Sequence, residues 1–265
     1  MGRADDLERI ASALAEADRV LERFTPGEIA HRAKAGGDPV TEADTAVNEA
    51  LLRHLPRSGE GWLSEETVDD PQRLERERVW VVDPIDGTRE FIAGIPEWCV
   101  SVGLVESGRA VAGGISIPSR KLTVIGSLET GTTANGEPCR TREVRSLDGA
   151  EILASRSELG RGEWEIFEQA PFRVTPTGSV AYKMAMVAAG LTDATWTLVP
   201  KHEWDVAGGT ALVTAAGGEV WTLEGPAPQF NRRRPKFRGL LAAAGPLAEP
   251  IKDYLRDTIA AIVER

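Results

Sequence analysis

The stretch Trp80-Val81-Val82-Asp83-Pro84-Ile85-Asp86-Gly87-Thr88 decides how the chain is read. An apolar run from Val79 to Val82 predicts a strand that delivers two aspartates at its end. Pro84 stiffens the turn between them, and Gly87 lets the backbone approach a ligand closely. Thr88 offers a hydroxyl at the start of a short helix, and exposed amides at such a turn suit a phosphate. Read alone, the segment is also a plain strand-ending Asp-Pro turn. It does not fit an EF-hand, because Pro84 intervenes and the closing position of the loop is Gly94 instead of glutamate.

Three further acidic segments flank this turn. Upstream lie Ser64-Glu65-Glu66, and Asp44 after Val40-Thr41-Glu42-Ala43; downstream lies Glu203-Trp204-Asp205-Val206-Ala207-Gly208-Gly209. Taken singly they read as a solvated loop, a helix-N-terminal acid and a helix cap. The N-terminal pattern is helical: Leu7, Ile10, Leu14, Ala17, Leu21 and Phe24 recur at steps of three and four, until Pro26 and Gly27 stop them. After a loop over 34–39, Val47, Leu51 and Leu55 predict a second helix with Thr41 as its cap. Strand patterns then take over at Trp62–Ser64, Val79–Val82, Trp98–Val105, Arg109–Ile117 and Leu122–Ile125, with turns at Glu106-Ser107-Gly108 and Asn135-Gly136.

From about residue 150 strands and helices alternate. Strands are expected at 152–154, 172–174, 194–198, 220–222 and 240–242, and helices at 181–189, 205–216 and 247–263. The architecture is therefore α+β moving into α/β, with an N-terminal half over 1–148 and a C-terminal half over 149–265. No linker separates the halves, so one compact unit is expected.

With 265 residues, 42% hydrophobic and 27% charged, the chain can bury a substantial core, which excludes global disorder. Lys plus Arg number 31 against 41 Asp plus Glu, a net charge of −10 that argues against a nucleic-acid polymer as partner. The run Asn231-Arg232-Arg233-Arg234-Pro235-Lys236 is accordingly read as a polar turn before the strand at Leu240. Cys99 and Cys139 cannot build a disulfide framework or a cysteine zinc site, and His31, His54 and His202 are too scattered for a histidine metal centre. No apolar run reaches membrane-spanning length and no secretory segment is visible, so a cytoplasmic location away from membranes is expected. P-loop, H-E-x-x-H and G-x-S-x-G motifs are absent. Cys99 reads as core, and Trp62, Trp80 and Trp204 as packing walls.

Together, Asp83-Pro84-Ile85-Asp86-Gly87-Thr88, Ser64-Glu65-Glu66, Trp204-Asp205-Val206-Ala207-Gly208 and Pro39-Val40-Thr41-Glu42-Ala43-Asp44 resemble the inositol monophosphatase family in order and rough spacing. The resemblance runs from about Leu7 to the terminal helix. It implies a layered α/β/α/β/α fold and Mg²⁺-dependent hydrolysis of small phosphate monoesters. Carried over, Glu65, Asp83, Asp86 and Asp205 look like metal ligands together with the Ile85 carbonyl, for two or three Mg²⁺ ions. Gly87 and Thr88 resemble phosphate-binding amides. Thr88 and Asp44 resemble the pair that orients and deprotonates water, with Glu66 as a helper. Gly208-Gly209 departs slightly from the commoner alanine-containing stretch.

Mg²⁺ prefers carboxylate and carbonyl oxygens, and four carboxylates gathered without a cation would repel one another. For the substrate, Gly87-Thr88-Arg89-Glu90-Phe91, Ala154-Ser155-Arg156-Ser157 and Glu203-Trp204-Asp205 look more like the 3'(2'),5'-bisphosphate nucleotidase branch than the inositol-specific one. That branch acts on 3'-phosphoadenosine 5'-phosphate. A second phosphate needs cationic anchors away from the metal ligands, for which Arg156, Lys183 and Lys201 are candidates beside Gly178 and Ser179. The alternatives are an inositol-1-monophosphatase or broad sugar-phosphate phosphatase, and a catalytically silent metal- or nucleotide-binding module. A homodimer is expected from the resemblance alone.

Overall fold

The computed structural model describes residues 2–33 and 39–263, so most of the loop expected over 34–39 lies outside the described residues. Helix α1 (Arg3–Leu21) buries the Ile10, Leu14, Ala17 and Leu21 stripe. It stops at Leu21, and Phe24 already belongs to a turn, its amide donating to the Leu21 carbonyl. A short hairpin of β1 (His31–Ala33) and β2 (Pro39–Thr41) leads into α2 (Glu42–His54). Thr41 caps α2 as expected: its hydroxyl accepts from the Ala43 and Asp44 amides while the Asp44 carboxylate accepts from the Thr41 amide.

A seven-stranded sheet follows in chain order. Its strands are β3 (Gly61–Ser64), β4 (Arg78–Asp86), β5 (Cys99–Glu106), β6 (Arg109–Ile117), β7 (Leu122–Ser127), β8 (Gly131–Ala134) and β9 (Glu137–Cys139). All neighbours are antiparallel except β3 and β4. The short helix α3 (Thr88–Ile92) joins β4 to β5. A second sheet of five strands has the order β11-β10-β12-β16-β14. It comprises β10 (Glu151–Ser155), β11 (Arg173–Thr177), β12 (Ala194–Thr197), β14 (Glu219–Thr222) and β16 (Leu240–Ala243). A two-residue ladder pairs β13 (Lys201–His202) with β15 (Lys236–Phe237). The remaining helices are α4 (Arg156–Gly160), α5 (Val180–Ala188), α6 (Glu203–Ala215) and α7 (Gly245–Val263).

The period of two along β4 builds the layers. Trp80 and Val82 face α1 and α2 in one core, while Val79 and Val81 face α5 and α6 in another. Those two helices also meet Leu153, Val220, Leu240 and Ala242 of the second sheet. Ile152, Ala154, Trp196 and Leu241 face the opposite way, onto α7 and an aromatic cluster around Trp164. The result is helix, sheet, helix, sheet, helix.

The departure at Gly208 has a packing reason. A Cβ there would stand 2.7 Å from the Val102 carbonyl oxygen, so only glycine lets α6 lie this close to β5. That approach sets the depth at which Asp205, one turn earlier, meets the end of β4. Among the described residues no helix is long and apolar enough to cross a membrane.

Candidate active site

The β4–β5 register shifts between Asp83 and Asp86, so the strand bends where its carboxylates emerge. Gly87 completes the turn at φ +96°, a conformation that disfavours any side chain, and an added Cβ would lie 3.0 Å from the Glu97 carbonyl. The chain then enters α3 at Thr88, whose hydroxyl lies 3.1 Å from Asp44 Oδ1 and 3.0 Å from the Ile85 carbonyl oxygen, both acceptors. Thr41 fixes Asp44 from behind, its hydroxyl donating to Oδ2 at 2.6 Å.

A cleft of about 580 Å³ opens over this turn. Its lining brings together Glu65, Asp83, Ile85, Asp86, Gly87, Thr88, Gly178, Ser179, Lys183, Lys201 and Asp205. Each aspartate is anchored through one oxygen. Asp83 Oδ1 accepts from the Ile85 amide, Asp86 Oδ2 from Ser179 Oγ and the Ala181 amide, and Asp205 Oδ2 from the His202 amide. Asp205 is therefore not the cap itself: α6 begins at Glu203, and Asp205 sits in the first turn closing a capping box on His202.

Burial raises the Asp83 carboxyl well above the usual carboxylate range, and Glu65, Asp86, Asp205 and Asp44 push it further. Asp205 is pushed up to about 8 by burial, Asp86 and Glu65, against the opposing pull of Lys201 and the His202 amide. Among the described residues no Lys or Arg forms an ion pair with Asp83, Asp86 or Asp205. The donor set is all hard oxygen, which fits Mg²⁺ by chemistry. As they stand, no three acidic, histidine or cysteine side chains among the described residues are drawn together tightly enough to hold an ion. The carboxylates thus share one cleft and raise one another's pKa without closing on a single point.

Positive charge lines the same cleft. Lys183 is almost wholly buried, its ammonium donating to the Ser179 carbonyl at 2.9 Å and, at 3.4 Å, to that of Thr177. Burial, then Lys201, lowers it to about 8 against the pull of Asp86, Glu158 and Glu90. It supports the Ser179 turn, where φ is +49°. Three expected residues do not line the cleft: Asp44 stands behind Thr88, within hydrogen-bond reach of its hydroxyl, and Arg156 and Glu66 are engaged elsewhere. Arg156 is turned to Glu97, donating at 2.6 Å, and to the Pro176 carbonyl. Glu66 sits half-buried in the turn after β3, its amide donating to Ser64 Oγ.

Other lining residues were not expected. Lys236 reaches the cleft because β15 pairs with β13, so the basic run is no plain turn; Glu203, fully buried, grips it by accepting from the Asn231 and Arg232 amides. Arg161 follows α4 onto the lining. Trp204 is not only a packing wall: it lines the cleft, stacked on His202 at 4.3 Å. Trp80 is core, and Trp62 donates to Thr67.

Against known proteins, the sequence profile of the inositol monophosphatase family matches residues 5–264. The chain is 31% identical over 195 residues to the fructose-1,6-bisphosphatase/inositol-1-monophosphatase of Thermotoga maritima, covering 71% of this chain and 73% of that protein. It is 30% identical over 216 residues to the 3'(2'),5'-bisphosphate nucleotidase CysQ of Salmonella typhimurium, covering 77% and 86%. The solved structure of a Thermotoga maritima IMPase superposes with a TM-score of 0.83 at 25% identity, covering 97% of this chain and 99% of that one.

Proposed function

The chain belongs to the inositol monophosphatase family, and from that premise we propose that it is a Mg²⁺-dependent phosphomonoesterase whose favoured substrate is 3'-phosphoadenosine 5'-phosphate. One observation carries the reading: a nest of like charge, unpaired with any cation at Asp83, Asp86 and Asp205 among the described residues, stands beside a Thr88–Asp44 pair at one end of a cleft that also presents lysines.

Glu65, Asp83, Asp86, Asp205 and the Ile85 carbonyl would hold Mg²⁺, two or three ions by resemblance. Bound there, the metal supplies positive charge to the phosphoryl oxygens and lowers the pKa of water. The chain's own groups do the rest. Thr88 Oγ accepts a hydrogen bond from the attacking water and relays its proton to Asp44, which Thr41 holds in register. A water-activating pair has no use in a silent binding module, which argues against that alternative. Gly87, on the cleft lining, presents backbone to a phosphoryl group at the turn. Lys201, with Lys236 found only in the folded chain, offers charge for a second phosphate, while Arg161 on the same lining is already paired with Glu163 at 2.8 Å.

The likeness to CysQ supports a bisphosphate nucleotide. A broad sugar-phosphate or inositol-1-phosphate phosphatase is the second reading, favoured by the similarity to the Thermotoga enzyme. A phosphate-release panel with EDTA and Mg²⁺ controls decides between them, using the adenosine bisphosphate, inositol 1-phosphate, fructose 1,6-bisphosphate and histidinol phosphate. Mg²⁺-dependent release with the highest kcat/KM on the adenosine bisphosphate is expected. A large preference for inositol 1-phosphate overturns the substrate, and no release from any ester overturns the activity.

A further inference from the structure

Helix α3 has a second neighbour. Thr88 faces the cleft, whereas Phe91, on the same helix, lines a separate cavity of about 390 Å³ between the end of α1 and the segment leading into β5. The walls are apolar and aromatic: Leu21, Phe24, Phe91, Pro96, Trp98 and Pro118. Phe91 and Trp98 meet edge to face at 4.8 Å, so the floor is rigid. Two acids of α1, Asp18 and Glu22, join the lining, and among the described residues no basic one belongs to it.

Asp18 is poorly served. Both its oxygens lean on the single Ser116 hydroxyl, at 2.8 and 2.9 Å, and no Lys or Arg among the described residues pairs with it. Burial and Glu22 push its carboxyl up while Ser116 holds it down. Arg19, next to it in sequence, pairs with Glu16 instead, and Arg23 lies over the Phe24 ring and donates to the Val20 carbonyl.

We propose that this cavity binds a small organic monocation with an aromatic or branched aliphatic body, its ammonium on Asp18 and Glu22 and its body among Phe24, Phe91 and Trp98. The volume is that of a small-ligand site. Aromatic walls bury the ligand's apolar body, and a carboxylate that shares one donor gains a charge-assisted hydrogen bond from the ammonium. Anions are repelled by the acid pair, and beyond the two acids the described lining side chains offer a divalent ion only the Ser119 hydroxyl, short of the oxygen set such an ion takes. The inference is independent of the phosphatase reading.

Calorimetric titration of the full chain in saturating Mg²⁺ tests it, with phenethylammonium, neutral 2-phenylethanol and anionic 3-phenylpropanoate as probes. Saturable 1:1 binding of the amine is expected, about tenfold or more tighter than the alcohol, with no binding of the acid. Asp18→Asn should abolish the preference for charge, Phe24→Ala should weaken the amine, and Asp205→Asn should leave it unchanged. Thermal melts check that each variant is folded. Unsaturable heats, equal affinity for amine and alcohol, or loss in Asp205→Asn with retention in Asp18→Asn would each overturn the proposal.

Discussion

The two ends of β4 carry buried acids in opposite circumstances. At its start Arg78 joins Arg3 and Arg9 in a network with Asp6, Glu60 and Glu106; Arg78 Nε lies 3.0 Å from Glu60, and Trp80 donates to the same carboxylate at 2.9 Å. Burial alone would raise Glu60, but hydrogen bonds from Arg9, Trp80, the Arg57 amide and Arg78 bring it down to about 2. At the other end Asp83 is raised by burial and by four acidic neighbours. One strand thus holds a charge cluster balanced from within and another left for a cation from outside. The first builds the fold, and the second is where chemistry is expected.

Substitutions at the two ends should part stability from activity. Asp83→Asn is expected to cut turnover by about 10³-fold or more. Because it removes one member of a repulsive set, the metal-free melting temperature should hold or rise. A fall in both would place Asp83 in the fold instead. Glu60→Gln should do the reverse, costing about 1–3 kcal/mol in denaturant unfolding by weakening the pairing of Arg9 and Arg78, which keep Asp6 and Glu106, with kcat per folded molecule unchanged. Thr88→Ala is milder: kcat should drop about 10²-fold with Mg²⁺ affinity preserved. Full activity in that variant would remove Thr88 from the proton path.

The weakest signal is the pH dependence of the metal-free protein, and its sign differs between the ends. Glu60, depressed in the fold, contributes stability that is complete above about 4.5 and is lost as pH falls toward 2. Asp205, raised in the fold, contributes stability that is complete below about 4 and is lost as pH rises through about 8. Asp205→Asn should therefore flatten the alkaline limb alone, as read from unfolding free energies across that range.

Much of this was legible in the chain because it is local. The Asp83–Thr88 turn, the Thr41 cap and the Arg109–Ile117 strand depend on neighbours in sequence, and each formed where its residues indicated. Lys236 was not, because it reaches the cleft through a two-residue ladder with Lys201 and His202, far away in sequence. Arg156 misled for the same reason: nothing near it announces Glu97, the partner that takes its charge. The helix α4 that carries Arg161 to the cleft is too short to show a periodicity. The acidic motifs marked where to look and Lys183 and Lys201 were named with them, whereas Lys236 joins the cationic side only through tertiary pairing.

Thermal unfolding of the EDTA-treated protein against added MgCl₂ tests the acidic nest most directly. A ligand bound only by the folded state must raise the midpoint with concentration. A saturable rise is expected in the unsubstituted chain, disappearing in Asp83→Asn and Asp205→Asn yet surviving Phe24→Ala. No rise at all, or the same rise after either aspartate is replaced, would contradict it.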